Sequence, residues 1–453
     1  MVVDRILVPF EGDGSGVEHL TWSQMTLWQS IEQSGTSKTV PYVAELAPGT
    51  TVDDVAADLS FMMSRHQSLR TRLVFDGGPC PRQSCSRSGE VPLEIVDAGT
   101  ADPAAVAEAV SERYQKADFQ FETEWPVRMA VIRAAGALTH EVLVILHTAI
   151  DAYGLSALAA DLAARDPATG AAGPVTCVQP LEQARKQASP AGQRHNTASL
   201  NYLERVLRTV TPSRFGDPKY PGDRVIHQIT YHSPATLLAI RAVAGRSATN
   251  TSPVLLAAFA VGLARFTGVN PVLAMLTVSN RFRPGLAQSV SAQILLTPYL
   301  IDVADITLDQ AVDRATQSAL NAYKNAYYNP YEQDEVIERV QRERGEEIDL
   351  SCFYNDRRQQ DRGGAGAPVT AEDIRAALPR ATVHWTGEIH PPRRKIYFNV
   401  DEQPGVIEFL ISADSRYFAP DDLAALCRGV EAVAVEAALD GSAPTRVRAA
   451  ATV

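Results

Sequence analysis

The sequence predicts a mixed α/β protein built from two comparable halves. Three observations point there. Segments with a helical 3.6-residue period alternate with short β-branched runs, which favours layered sheet and helix over a bundle. At 453 residues the chain exceeds one typical core and suits two or three domains. Residues 166–174 (Asp-Pro-Ala-Thr-Gly-Ala-Ala-Gly-Pro) are small and patternless, as a linker between halves is.

The elements follow in order. Residues 11–16 read as a flexible acidic loop with glycines at alternate positions. No clear buried strand precedes them and no Gly-Lys-Ser follows, so they do not make a phosphate loop. Residues 23–32 are expected to form a helix, 40–46 a strand, 52–65 an amphipathic helix, and 69–75 a strand closed by Asp76-Gly77-Gly78. Residues 103–116 suit a helix and 127–133 a strand. After the linker, residues 181–207 form a polar helical stretch, and the second half begins near Arg224 with a strand to His232. Ser233-Pro234 and Ser252-Pro253 each place a cap before a helix-opening proline. Residues 254–266 are apolar apart from Arg265 and read as a buried helix. A strand over 272–279 and a helix over 306–327 come next. Residues 362–368 read as a mobile surface loop. Strands 395–400 and 406–413 pair across Gln403-Pro404-Gly405, and a helix over 420–438 closes the chain.

The most informative segment is Leu146-His147-Thr148-Ala149-Ile150-Asp151-Ala152. The apolar run from Glu141 to Leu146 leads straight into His147. Asp151 follows four residues later, and Leu155, Leu158, Ala159 and Leu162 then recur at helical spacing. A buried strand thus delivers an imidazole and a carboxylate into a strand-to-helix turn. Imidazole is the side chain best suited to proton transfer near neutral pH, and loops at strand ends commonly carry chemistry. From these residues alone two readings stay open: His147 as a general base, or as a satisfied structural histidine.

Composition narrows the functional classes. The net charge of −11 argues against nucleic acid, which demands a basic face, and against an anionic membrane surface. No run approaches the roughly 18 apolar residues of a membrane span. The N-terminal segment, with Asp4, Arg5 and Pro9, is not a signal peptide. A cytoplasmic location is expected. The cysteines Cys80, Cys85, Cys177, Cys352 and Cys427 are odd in number and lack metal spacing, so free thiols are expected. His384 and His390 flank Trp385 and Glu388 with poor metal geometry, and no metal is expected. Arg393-Arg394-Lys395 is a basic cluster. It is either a solvated loop or a dock for an acidic carrier protein or a CoA phosphate.

The His147 segment resembles the HHxxxDG motif of the condensation-domain superfamily, which includes the amide-forming domains of nonribosomal peptide synthetases. His147 matches the second histidine and Asp151 the aspartate. Leu146 replaces the first histidine and Ala152 the glycine. Other blocks fall in the same order: Trp22-Ser23-Gln24-Met25-Thr26-Leu27-Trp28 is similar to the family's Ser-x-x-Gln-x-x-Leu-Trp opening. Arg65 to Arg72 is similar to its Arg-His-Glu-x-Leu-Arg-Thr block, Asn280-Arg281 to its Asn-Arg, and Pro330-Tyr331-Glu332 to its Pro-Phe-Glu. The Asp-Phe-Gly-Trp stretch of related acyltransferases has no clear match.

The resemblance implies two chloramphenicol-acetyltransferase-like halves, residues 1–176 and 177–453, in a V-shaped pseudo-dimer with a central cleft. It implies a stand-alone condensation enzyme of secondary metabolism, passing an acyl or aminoacyl group from a carrier-protein thioester to an amine or hydroxyl acceptor. The partners implied are an acyl or peptidyl carrier protein with its phosphopantetheine-linked thioester, a CoA thioester being the lesser alternative, and a small-molecule acceptor. No bound cofactor and a monomeric state are expected. His147 is implied as base or positioning residue. Asp151 is implied to pair with Arg281 from the other half and to brace the motif rather than relay protons. Leu146, Ala152, Tyr153 and Gly154 belong to the motif, with Gly154 as a source of backbone freedom that Ala152 lacks. Ser23 and Trp28 lie on the opening helix, where packing is the alternative role. The altered motif keeps a second reading open, a non-catalytic platform that recruits partner proteins.

Overall fold

The computed structural model describes residues 3–78, 80–166, 169–220, 222–358, 369–389 and 394–449. The loop at 362–368, His390 and Arg393 lie outside them. The chain is mixed α/β and folds into two compact units. One comprises Met1–Asn196, Ser279–Leu295 and Asn329–Tyr331; the other comprises Thr197–Val278, Leu296–Tyr328 and Glu332–Val453. The chain halves expected from the sequence meet at residue 176. Residues 177–196 and 279–295 pack with the first unit, held there by buried polar contacts described below.

The first unit is built on a five-stranded sheet. Its spatial order is Val3–Glu11, Ser88–Asp97, Val127–Ala134, Ala137–Leu146 and Thr39–Glu45. The second and third strands run parallel, and the other neighbours are antiparallel. The strand carrying the His147 segment is therefore interior, with a partner on each side. Both of its faces are covered. Leu143 and Ile145 pack with Leu59, Met62 and Met63 of helix Val52–Arg65 and with Leu158 of helix Ala152–Ala163. Val142 and Val144 pack with Val106, Val110 and Tyr114 of helix Pro103–Lys116. Burial on both faces explains why this strand reads as an unbroken apolar run rather than an alternation. The tight connection before it uses Ala135 and Gly136, both at positive φ (49° and 84°), as a two-residue hairpin of this twist requires.

The second unit carries a seven-stranded sheet. Helices Pro234–Arg246, Thr251–Thr267, Leu308–Lys324 and Pro420–Leu439 bury one face of it around Phe259, Phe398 and Phe409. Helix Thr251–Thr267 is apolar on all sides from Val254 to Ala264, where it sits inside this layer, and near its end Arg265 pairs with Glu436 (2.9 Å).

Several local expectations are corrected. Val3–Glu11 is a strand, so one does precede the 11–16 loop. Val8 and Phe10 are buried beneath an exposed Leu7. That loop is not free. Arg70, 0 % exposed, donates to the carbonyls of Asp13, Gly14 and Ser86. Residues 67–70 form a 3₁₀ turn, and only Thr71–Val74 is strand. The 181–207 stretch is two helices, Pro180–Ala188 and Pro190–Thr209. They break at Ser189, whose hydroxyl caps Gly192 N–H at 3.2 Å. Ser233 caps its helix through Thr236 N–H (2.9 Å). Ser252 does not cap; it lies inside helix Thr251–Thr267 and donates to Asp356 Oδ2 (2.8 Å).

Candidate active site

Strand Ala137–Leu146 ends where both flanking segments hold it. Leu146 N–H donates to Pro126 O (2.8 Å), and His147 N–H to Lys38 O (2.7 Å). Ala149 N–H then returns to Leu146 O (2.9 Å), closing a turn over His147 and Thr148. The His147 ring sits 2.7 Å from the Ile150 carbonyl through Nδ1. A carbonyl oxygen can only accept, so Nδ1 carries the proton. Nε2 is then the nitrogen with the free lone pair. It makes no hydrogen bond to any described residue, and the side chain is partly exposed. The backbone of the turn thus selects the tautomer that can take a proton at Nε2.

Asp151 does something else. It is the N-cap of helix Ala152–Ala163, its Oδ1 accepting from Gly154 N–H at 2.7 Å. The same oxygen accepts from Arg281 Nη2 (2.6 Å), and Oδ2 accepts from Gln293 N–H (2.8 Å). Arg281 also donates to the carbonyls of Ser289 (2.6 Å) and Ser291 (2.8 Å). Asp151 is 2 % exposed. Every oxygen of Asp151 is engaged, and His147 Nδ1 is taken by Ile150. Asp151 is therefore not the orienting acid of a Ser-His-Asp type arrangement. It ties the motif turn to residues 279–295. Arg281 lies in the same compact unit as Asp151, although far from it in sequence.

A buried amide pair fixes that segment further. Gln293 and Gln183 exchange hydrogen bonds (2.9 and 2.8 Å), and Gln293 Nε2 also donates to Ser291 Oγ (2.7 Å). Ser289 Oγ donates to Val178 O (3.2 Å). Sequence reasoning missed Gln183, Gln293, Ser289 and Ser291. None belongs to a motif, and no local pattern marks them.

The remaining motif residues fall into place by sterics. Leu146 is buried (5 %) and, with Gln24 and Thr148, lines a small crevice floored by Phe119 and Phe121. Ala152 is exposed and occupies the first helical position with ordinary helical backbone. Glycine's conformational freedom is not needed there. Gly154 supplies space rather than flexibility. A Cβ on it would meet Ile150 Cγ1 at 2.8 Å, Ser291 O at 3.0 Å and Arg281 Nη2 at 3.1 Å. Tyr153, partly buried, stands between them. Ser23 and Trp28 lie on helix Trp22–Ser34. Trp28 packs edge-on against Phe121 (5.3 Å between centroids) and tilted against Phe75 (5.5 Å). Ser23 is fully buried, and its hydroxyl has no partner among the described residues.

The far end of the motif helix is clamped as well. Asp161 receives Arg65 Nε at 2.5 Å and lies 3.0 Å from His66 Nε2. Burial raises the Asp161 carboxyl, but His66 and Arg65 outweigh it and hold it at about 2. Burial pushes the His66 imidazole below its ordinary value, against the pull of Asp161.

The five cysteines are free thiols. Among the described residues no group of His, Cys, Asp or Glu could hold a metal ion. No single described helix is long and apolar enough to cross a membrane.

The chain belongs to the condensation-domain family, whose profile matches residues 15–363. Solved structures share the fold. One is the condensation domain that mediates chain release from the enacyloxin polyketide synthase, at 19% identity and TM-score 0.72, covering 98% of this chain and 85% of that one. SgcC5 from Streptomyces globisporus, in complex with a naphthyl-ethanediol and sucrose, is 15% identical with TM-score 0.66, covering 94% and 100%. The teicoplanin X-domain in complex with OxyB is 17% identical with TM-score 0.70, covering 96% of each chain. No curated protein sequence matches significantly.

Proposed function

We propose that this protein joins an acyl or aminoacyl group, presented as a phosphopantetheine thioester on a carrier protein, to an amine or hydroxyl acceptor. The observation that carries the reading is the Nδ1–H donated to Ile150 O, which leaves the lone pair on His147 Nε2, where no described residue hydrogen-bonds to it. The acceptor nitrogen or oxygen attacks the thioester carbonyl while its proton passes to Nε2. Collapse of the tetrahedral adduct breaks the C–S bond, and the departing thiolate takes the proton back. A thioester is already activated, so no metal or nucleotide enters this scheme. General-base catalysis of this kind is worth about 10² to 10⁴ in rate, and alignment of two substrates adds several kcal/mol. SgcC5, a structure of the same fold, was captured with a diol, which keeps a hydroxyl acceptor beside an amine.

The test is incubation of the purified protein with acyl thioesters on carrier proteins and, separately, on CoA, with amine and alcohol panels and mass-spectrometric readout. Amide or ester formed only with the carrier-bound donor supports the proposal. Turnover with CoA thioester alone replaces the donor assignment.

A second reading is a platform that recruits another protein. It is favoured by one observation, the X-domain of the same fold that forms a complex with OxyB. Absence of turnover with every donor, together with stable capture of a biosynthetic partner enzyme, would establish it.

A further inference from the structure

A cavity in the second unit is lined by none of the residues of the His147 turn. It measures about 820 Å³, within the range of small-molecule pockets, roughly 300–1,000 Å³. It opens at the N-terminal ends of the parallel strands Cys352–Asp356 and Ile396–Gln403, beside the C-terminal end of Val406–Asp414. That is opposite the end at which the parallel strand Val272–Ser279 finishes.

Its charges are unequally occupied. Asp414 is taken by Arg224 (2.8 Å) and Arg416 (2.9 Å), Asp349 by Lys395 (2.8 Å), and Glu346 by Arg344. Arg394 is different. Its guanidinium lies 4.4 Å from the Phe353 ring centre and 4.8 Å from that of Tyr397. It has no ion pair among the described residues. The lining acid without an ion pair, Glu347, is exposed to water. A guanidinium presents its N–H donors along the edge of its plane. That edge matches the two oxygens of a carboxylate or phosphate. Phe353 and Tyr417 supply ring surface in the same cavity.

We infer that this cavity binds a small organic anion, its carboxylate or phosphate seated on Arg394 and its apolar body against the aromatic wall. The site is separate from His147 and does not depend on the proposed condensation activity.

The experiment is calorimetric titration of the full chain with phenyl phosphate, benzoate and benzylamine, which share a ring and differ in charge. Both anions are expected to bind and benzylamine not to. Tighter binding of one anion identifies which oxyanion the site prefers. Arg394→Gln should weaken anion binding about tenfold or more, the loss of a charge-assisted bidentate contact. Arg394→Lys, which keeps the charge without the fork, should fall between, and it serves if the glutamine variant does not fold. His147→Ala should bind as the parent does. The inference is overturned if neither anion binds at millimolar concentration, if benzylamine binds equally well, or if folded Arg394 variants bind unchanged.

Discussion

Arg281 Nη2 lies 2.6 Å from Asp151 Oδ1, across 130 positions of sequence; the carboxylate is buried and the guanidinium side chain is only 10% exposed. The pair connects the turn that carries His147 to residues arriving from the middle of the chain. The guanidinium completes its donations on the carbonyls of Ser289 and Ser291, so neither partner can be removed without leaving a buried charge behind.

Removing either one should therefore destabilise the protein by about 3–5 kcal/mol. Asp151→Ala also loses the helix cap, worth about 1 kcal/mol. The double variant should lose much less than the sum of the two, since the second removal takes away an already orphaned charge. Urea unfolding midpoints with unchanged slopes measure this.

Gly154→Ala should cost about 1–3 kcal/mol, because the new methyl meets Ile150 and the Ser291 carbonyl below contact distance. Ala152→Gly, at an exposed first helical position, should cost at most about 1 kcal/mol. It should not raise activity. A gain in turnover from Ala152→Gly would show that a methyl at this position limits the chemistry.

The clamp on Asp161 predicts a pH dependence. His66 is held below its ordinary 6.5 by burial, so the unfolded chain binds that proton first and stability declines as pH falls below 6.5. Asp161 is held at about 2, below its ordinary 3.8. Its contribution is complete above 3.8 and is lost as pH falls toward 2. Asp161→Asn should remove the lower decline, and His66→Gln should flatten the upper one. Thermal midpoints measured from pH 8 to pH 2.5 provide the check.

Arg70→Met should free residues 11–16. Three carbonyls lose their donor, at a cost of at least about 2 kcal/mol. Limited proteolysis should cut this loop in the variant and spare it in the parent.

How much of this was legible depends on whether the cause was local. The strand before His147 is a continuous apolar run because both faces are covered, and that reads directly. The Ser233-Pro234 start reads for the same reason: the cap and the proline are adjacent. Val3–Glu11 was hidden because Asp4, Arg5 and Pro9 interrupt an alternation in which Val8 and Phe10 are buried. Arg70 reads as a charged residue in a motif block, yet its role is to gather carbonyls from a loop 56 or 57 residues away. Arg281 could be placed only by resemblance. Gln183 and Gln293, 110 residues apart, leave no trace in any window of sequence. Ser252 shows the opposite failure: the helix starts one residue earlier, at Thr251, so the serine falls inside it and donates to Asp356.

The central claim is that His147 Nε2 accepts the acceptor's proton. The most direct measurement is to replace His147 with Ala in the producing organism, confirm that the folded protein accumulates, and compare metabolites by mass spectrometry with the parent and a gene deletion. Loss of a product with build-up of its unjoined precursor, matching the deletion, is the expected result. An unchanged metabolite profile in His147→Ala, where the deletion abolishes the product, would contradict the claim and leave the protein as a platform.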